Sequence, residues 1–290
     1  MTTFSRAVKA YKKQCRQKDI PEETVMAYLV ELSQRERYDL YLHYEEEMPE
    51  DLGRAFDAGM QRILSGEPMN HVLGYSWFYG YKMIVNGDVL IPRPETEELC
   101  AHVLAQIDHL FPQGTLEAAD VGTGSGAIAI TLAKEEPRLH MQAMDISEKA
   151  IAVAKENAQI NDAAVEFLVG DMCQPLIDEH AQLDILVSNP PYIPVHEKME
   201  RSVTDYEPHV ALFGGEDGLF FYRRIFDDCR KVLKPRSMMA FEIGWDEKEG
   251  ITKLVQEKLP EAQFESLKDM NGKDRILMVY FGMGAEALHS

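Results

Sequence analysis

No apolar run in this chain is long enough to cross a bilayer. The longest, such as Ala127–Ala133, fall far short of the roughly 20 residues a helical span needs. Met1–Arg6 leads into a polar amphipathic pattern instead of the apolar core of a secretion signal, so neither membrane insertion nor export is expected. Cysteine is scarce: Cys15, Cys100, Cys173 and Cys229 are scattered, with no CxxC and no disulfide-framework spacing. They read as small core residues of a protein of the reducing cytoplasm. HExxH is absent and His71, His109, His140 and His196 have no ligand spacing, so no metal is expected. Positive charge is also in deficit, the net charge being −19. Residues 1–92 are nearly balanced, with 11 Lys+Arg against 14 Asp+Glu, whereas residues 93–290 hold 19 against 35. Such a surface repels a phosphate backbone, so direct nucleic-acid binding is disfavoured. Acidity serves solubility equally well.

What is present is the composition of an ordinary globular protein, with 45% hydrophobic and 27% charged residues in 290. That length suffices for two domains. Apolar positions recur at helical intervals over the first ~70 residues. Phe4, Val8 and Tyr11 form one stripe; Val25, Tyr28, Leu29 and Leu32 follow a Pro21-Glu22-Glu23 helix start; Leu52, Phe56, Met60 and Leu64 form a third. The pattern predicts a small helical bundle over residues 1–74. From Tyr75 to Val85 the chain is aromatic and β-branched, and Asn86-Gly87 signals a tight turn. This predicts a β-hairpin over 75–91 within a linker of residues 75–92. Pro92 and Pro94 then hold an extended stretch before a helix near Glu95.

Residues 93–290 alternate strands and helices. Strands are expected at Leu116–Val121, Leu139–Met144, Val165–Val169, Leu183–Ser188, Met238–Ile243, Phe264–Leu267 and Arg275–Phe281. Helical patterns between them, such as Glu148–Asn161 and Gly218–Leu233, imply a doubly wound α/β domain with a largely parallel sheet.

Asp120-Val121-Gly122-Thr123-Gly124-Ser125-Gly126 follows the first of these strands and opens the helix at Ala127. Glycines there permit a tight turn and close approach of a ligand to the backbone. A dinucleotide fingerprint prefers its third glycine at position 127, where Ala127 is a tolerated variant. A P-loop requires Gly-Lys-Ser/Thr, which is absent. With no lysine for phosphates, the turn favours a phosphate-free nucleoside, S-adenosylmethionine, over NAD. Asp145, ending the next strand, can accept from both ribose hydroxyls, although Asp145-Ile146-Ser147 also reads as a helix cap. Asp171 is expected near the adenine edge, with Met172 as an apolar wall.

Asn189-Pro190-Pro191-Tyr192 closes the fourth strand, on the carboxyl edge where open α/β sheets bind ligands. It offers acceptors and an aromatic face but nothing that titrates near neutrality. That suits a planar amide or amine nitrogen, adenine or amide alike. The Asn189 side-chain oxygen and a proline carbonyl can take both protons of an NH2, fixing its rotation as it attacks a methyl group. Pro190 and Pro191 stiffen the loop and remove competing donors. Tyr192 can pack on the amide and face a sulfonium.

With both motifs in place, the chain resembles class I S-adenosylmethionine-dependent methyltransferases, and more closely the HemK/PrmC-type release factor glutamine methyltransferases. The resemblance covers most of the chain. It includes Gly66-Glu67-Pro68, Leu73-Gly74, Leu90–Glu97, the glycine turn, Ser188–Pro194, Tyr206-Glu207-Pro208-His209, Ala211–Gly215 and Asp217-Gly218-Leu219. Asn-Pro-Pro-Tyr alone is shared with N6-adenine DNA methyltransferases; the flanking segments make the match specific. The resemblance implies a helical N-terminal domain, a hairpin linker and a seven-stranded Rossmann-like domain whose last strand is antiparallel. It implies methylation, on the side-chain N5, of the glutamine in the Gly-Gly-Gln loop of peptide chain release factors, with S-adenosylhomocysteine as product. Gly122–Gly126, Asp145, Met172 and Asn189 would contact the cofactor and Asn189–Tyr192 would grip the glutamine. Met172 departs from relatives with an aromatic residue there. Arg93, Glu95 and Glu97 fit either a cofactor entrance or an ion-paired helix start, and His209 is a candidate base without an identifiable partner. Nothing demands more than a monomer. The competing readings are an adenine-N6 nucleic-acid methyltransferase and a non-catalytic cofactor-binding protein.

Overall fold

The computed structural model describes residues 2–197 and 205–283. Two compact units divide the chain, one built on Met1–Tyr75 and one on Ser76–Lys198 with Glu207–Ser290. The first unit is helical: α1 (Phe4–Arg16), α2 (Glu23–Ser33), α3 (Arg37–Leu42), α4 (Glu50–Leu64) and α5 (Met69–Leu73). Its core joins the stripes read from the sequence, with Phe4, Val8, Tyr11, Val25, Tyr28, Leu29, Phe56 and Met60 all buried. Phe56 stacks on Tyr28 and meets Tyr11 edge-on.

The hairpin is shorter than the sequence suggests. Strands β1 (Tyr75–Phe78) and β2 (Tyr81–Ile84) turn at Tyr79-Gly80, not at Asn86-Gly87. Both turn residues have positive φ, 51° and 81°, as a two-residue hairpin turn matching strand twist demands. Asn86 instead closes a turn of its own, its side-chain oxygen accepting from the Asp88 N–H at 2.9 Å. The chain on either side of it packs Val85, Val89 and Ile91 against Ala150 and Val153.

The rest of the second unit comprises α6 (Pro94–Leu110), β3 (Leu116–Val121), α7 (Ala127–Glu135), β4 (Leu139–Asp145), α8 (Glu148–Ile160), β5 (Val165–Val169), α9 (Gln174–Asp178), β6 (Leu183–Ser188), α10 (Phe220–Val232), β7 (Leu233–Glu242), α11 (Lys248–Lys258), β8 (Gln263–Lys268) and β9 (Asp274–Phe281). The seven-stranded sheet has the order β5-β4-β3-β6-β7-β9-β8. β3 to β7 run parallel, and β9 is antiparallel to both β7 and β8. Every residue of β6 is buried, as expected of a central strand covered on both faces. One core cluster includes α6 and α7 residues and the other α10 and α11 residues. The strand order reverses between β3 and β6, so their carboxyl ends splay into a crevice.

Candidate active site

The glycine turn leaves β3 at Asp120, a fully buried carboxylate. Its Oδ2 accepts from the Thr123 hydroxyl at 2.6 Å, while Oδ1 has no hydrogen-bond partner among the described residues. Burial pushes this carboxyl up to about 7, the Thr123 hydroxyl opposing the shift only in part. Gly122, Gly124 and Gly126 have φ of 77°, 55° and 83°, a conformation that disfavours side chains. A Cβ on Gly122 or Gly124 would meet nothing within 4 Å, so this backbone borders open space. Asn157 of α8 fixes the turn from behind: its amide donates to the Ser125 and Ile84 carbonyls, and its oxygen accepts from the Ile84 N–H.

Asp145, at the end of β4, accepts the Gly124 N–H on one oxygen and the Ser147 N–H on the other, each at 2.9 Å. The carboxylate thus holds Ser147, whose hydroxyl caps α8 by accepting the Ala150 N–H, and grips the turn at once, and each oxygen keeps a lone pair. Gly170 ends its own approach with its N–H on the Asp145 carbonyl, bringing Asp171 and Met172 alongside. Arg224 of α10 holds the Asp171 carboxylate by two bonds of 2.8 Å. The Met172 backbone sits at φ 53°, uncommon for a non-glycine residue.

These groups line one cavity of about 260 Å³. Gly122, Thr123, Gly124, Ser125, Asp145, Asp171, Met172, Asn189 and Pro191 all border it; Gly126, Pro190 and Tyr192 do not. Ile128, Ile146 and Ala150 add apolar wall, as do Val89 and Leu90. The last two arrive through the loop that the sequence reading had absorbed into the hairpin. Among the described residues the cations on the wall are Arg93 and Arg224, and both are engaged, Arg93 by Glu207 at 2.5 Å and Arg224 by Asp171. The cavity therefore combines a bare glycine cradle, apolar sides and carboxylates, without a free cation for phosphate among its lining residues. That donor set fits S-adenosylmethionine.

The Arg93, Glu95 and Glu97 group divides. Arg93 borders the cavity; Glu97 instead accepts the Tyr79 N–H of the hairpin turn at 2.8 Å. Glu207, whose side chain is 1% exposed, accepts from both Arg93 and the Ile91 N–H, tying the Pro-Arg-Pro segment to the Glu-Pro-His segment. The His209 ring meets Phe213 edge-on, and His209 itself is absent from the cavity wall.

The tetrapeptide follows the last residue of β6, Ser188, whose hydroxyl donates to the Val121 carbonyl at 2.6 Å. The segment after Ala211 straps it. The Ile193 N–H donates to the Leu212 carbonyl at 3.1 Å and the Gly214 N–H donates to the Ile193 carbonyl at 2.8 Å, and a Cβ on Gly214 would fall 2.5 Å from the Pro191 carbonyl oxygen. A Cβ on Gly218 would fall 2.4 Å from the Tyr192 carbonyl oxygen. Gly214 and Gly218 are thus required by close approach of their backbone to that of the tetrapeptide.

Sequence reasoning missed Thr96, Glu242 and Arg224. Asn189 donates from Nδ2 to Thr96 Oγ1 at 3.2 Å and to Glu242 Oε2 at 3.1 Å. Thr96 donates its hydroxyl to Glu242 Oε2 at 2.5 Å, and the Tyr192 hydroxyl donates to Oε1 at 3.3 Å. Burial raises Glu242 above the ordinary carboxylate range and, with the Glu242 charge nearby, raises the Tyr192 phenol too. Nothing local in sequence signals this cluster, because its members lie up to 146 positions apart.

Comparison with known proteins agrees with this architecture. The family model described as PrmC N-terminal domain matches residues 6–74, and the one described as Methyltransferase small domain matches 101–206. Among curated proteins, the release factor glutamine methyltransferase of Bacillus cereus is 42% identical over 88% of this chain and 90% of its own. That of Bacillus subtilis is 42% identical over 83% and 85%. A methyltransferase structure from Pyrococcus furiosus superposes with a TM-score of 0.53 at 17% identity, covering 78% of this chain and 98% of that one, and so shares the fold.

Proposed function

The chain belongs to the release factor glutamine methyltransferases, and from that premise we propose which residues do what in transfer of a methyl group from S-adenosylmethionine to the N5 of a release factor glutamine. The single observation that carries the reading is the state of Asn189. Its amide nitrogen is consumed by Thr96 and Glu242, its side chain borders the cavity, and its oxygen has no partner among the described residues.

S-adenosylmethionine supplies, when bound, a methyl group activated on a sulfonium sulfur. Gly122, Thr123, Gly124 and Ser125 form its cradle, and Gly126 closes the turn behind them with its N–H on the Thr123 carbonyl. Asp145 takes the ribose hydroxyls on the lone pairs its backbone bonds leave over. Asp171, steadied by Arg224, accepts from the adenine amine, and Met172 covers the ring. Asn189 Oδ1 and the Pro190 carbonyl accept the two N–H groups of the substrate amide. That stops its rotation and returns electron density to a nitrogen whose lone pair is otherwise delocalised. Pro190 and Pro191 carry no N–H to compete for those acceptors. Tyr192 packs along the amide plane.

The substrate is a glutamine of a release factor, as the names of the relatives suggest, and we place that glutamine in the Gly-Gly-Gln loop. Residues 1–74 recognise that partner and 75–92 link them to the catalytic domain. The enzyme works in the cytoplasm as a monomer, without nucleic acid. No described helix is long and apolar enough to cross a membrane.

Incubation with methyl-labelled S-adenosylmethionine and a release factor, its loop-glutamine-to-alanine variant, or DNA tests the whole reading. Label is expected on the first alone. Label on DNA alone would instead support adenine methylation and overturn the proposal.

A further inference from the structure

The geometry points to Glu242 as the positioning residue that fixes which end of the Asn189 amide faces the substrate, with Thr96 as its accomplice. This deepens the function proposed above and rests on it.

A carboxamide is nearly isosteric on rotation by half a turn, yet its two ends are opposite in hydrogen bonding. With the oxygen outward, Asn189 accepts an N–H from a substrate amide; with the nitrogen outward it would present a donor to another donor. Something behind Asn189 must therefore choose. Glu242 ends β7 beside the tetrapeptide, since Ser188 and Phe241 are paired in the parallel ladder. Its side chain is buried, the residue being 2% exposed, and does not border the cavity, so it does not touch the substrate. Both of its oxygens serve as acceptors, Oε2 for the Thr96 hydroxyl and Asn189 Nδ2 and Oε1 for the Tyr192 hydroxyl, and any rotation bringing Asn189 Oδ1 inward would set oxygen against oxygen.

Thr96 completes the selection. Its only proton is spent on Glu242, so its oxygen can face Asn189 only as an acceptor. The backbone of Glu242 is itself pinned, the Tyr222 hydroxyl donating to its carbonyl at 2.6 Å. A buried carboxylate is a costly way to fill space, because an apolar side chain packs without a desolvation penalty. Arg275, buried on β9, eases that penalty electrostatically. What offsets the cost is orientation of the Asn189 amide; the Tyr192 hydroxyl, 3.3 Å from Oε1, needs only an acceptor, which a glutamine would also offer.

Glu242→Gln keeps the shape but adds a donor end, so Asn189 can rotate. On the labelled release factor, kcat is expected to fall on the order of 10²-fold, with the calorimetric Kd of S-adenosylhomocysteine within about threefold of wild type. Because the effect runs through Asn189, Glu242→Gln in an Asn189→Ala background should cost less than about threefold more. Thr96→Val should lower kcat in the same direction, and Thr96→Ser should restore most of that loss. If Glu242→Gln proves unfolded by circular dichroism, the Thr96 pair in the two Asn189 backgrounds carries the same test. Full multiplication of the losses in the double variant, or a Glu242→Gln kcat within twofold of wild type, would overturn the inference. Failure of the wild-type chain to label any release factor would overturn the function reading, and this inference with it; the two failures are therefore told apart by the wild-type control.

Discussion

Replacing Asn189 with alanine removes one of the two acceptors proposed for the substrate amide and nothing from the glycine cradle. Turnover should fall roughly 10²- to 10³-fold, measured as label incorporated into release factor, while the cofactor Kd stays within a few-fold of wild type. Asp145→Ala should show the converse order. The Kd for S-adenosylhomocysteine rises on the order of 10-fold or more by calorimetry, because hydrogen bonds to a charged acceptor are the stronger kind. An unchanged constant would remove Asp145 from the ribose site. Asp120 gives a different signature, in pH. Unfolded, its carboxyl titrates near 3.8; folded, burial lifts it to about 7. Between those values the native state holds a proton the unfolded chain has lost. Raising the pH through that window therefore withdraws stability, and the withdrawal is complete above about 7. Asp120→Asn keeps an acceptor for the Thr123 hydroxyl but cannot titrate. Its urea midpoint should change less than that of wild type in the downward direction between about pH 5 and about pH 7.5. An identical pH response in the two proteins would mean that Asp120 is ionised throughout.

Among the elements, the strap from Ala211 to Leu219 is where backbone contact matters most. Gly214→Ala puts a Cβ 2.5 Å from the Pro191 carbonyl oxygen, so either the strap or the tetrapeptide must move. A displacement near 1 Å is enough to cost about 10²-fold in rate. Steady-state assays should therefore show the loss in kcat, whereas the cofactor Kd changes little, the cradle lying on other loops. The elements themselves were largely legible. Leu116–Val121, Val165–Val169 and Leu183–Ser188 are strands with the bounds that their apolar runs suggested. β7 starts at Leu233, five residues before Met238, because Leu233 pairs with Leu183 of β6, while Lys234, Pro235 and Arg236, which look like a loop locally, bulge before the ladder resumes at Ile185 and Met238. The hairpin was misplaced since Asn-Gly is the stronger turn signal, and Tyr79-Gly80 prevailed because it joins two strands of equal length. In the site, residues at strand ends were visible, as Asp145 and Asn189 show. Glu242, Thr96 and Arg224 were not, since each acts through a partner 53 or more positions away that no local pattern connects.

At the scale of the whole molecule, charge decides. The net charge of −19 is concentrated in residues 93–290, and like charges on a compact body repel one another. Opposing this are surface ion pairs such as Lys253–Glu249, whose side chains are 72% and 83% exposed. Exposed pairs of that kind contribute little, roughly 0–1 kcal/mol each, and salt screens them as well. The two effects respond to salt in opposite directions, which makes the balance measurable. The Debye length falls from about 30 Å at 0.01 M to about 8 Å at 0.15 M, so repulsion across the domain is lost before contacts at hydrogen-bonding distance weaken. Sodium chloride should therefore raise the thermal midpoint by a few degrees, on the order of 1 kcal/mol, when scanned from about 0.01 M to about 0.15 M. Chloride is preferred to sulfate for this scan, because sulfate strengthens apolar burial by itself. A midpoint that falls with added chloride would show that the ion pairs outweigh the repulsion. The same field bears on substrate choice. Repulsion of a phosphate backbone weakens as salt is added, so any labelling of DNA should increase with chloride, opposite to the salt response of a protein that neutralises phosphates with its own cations.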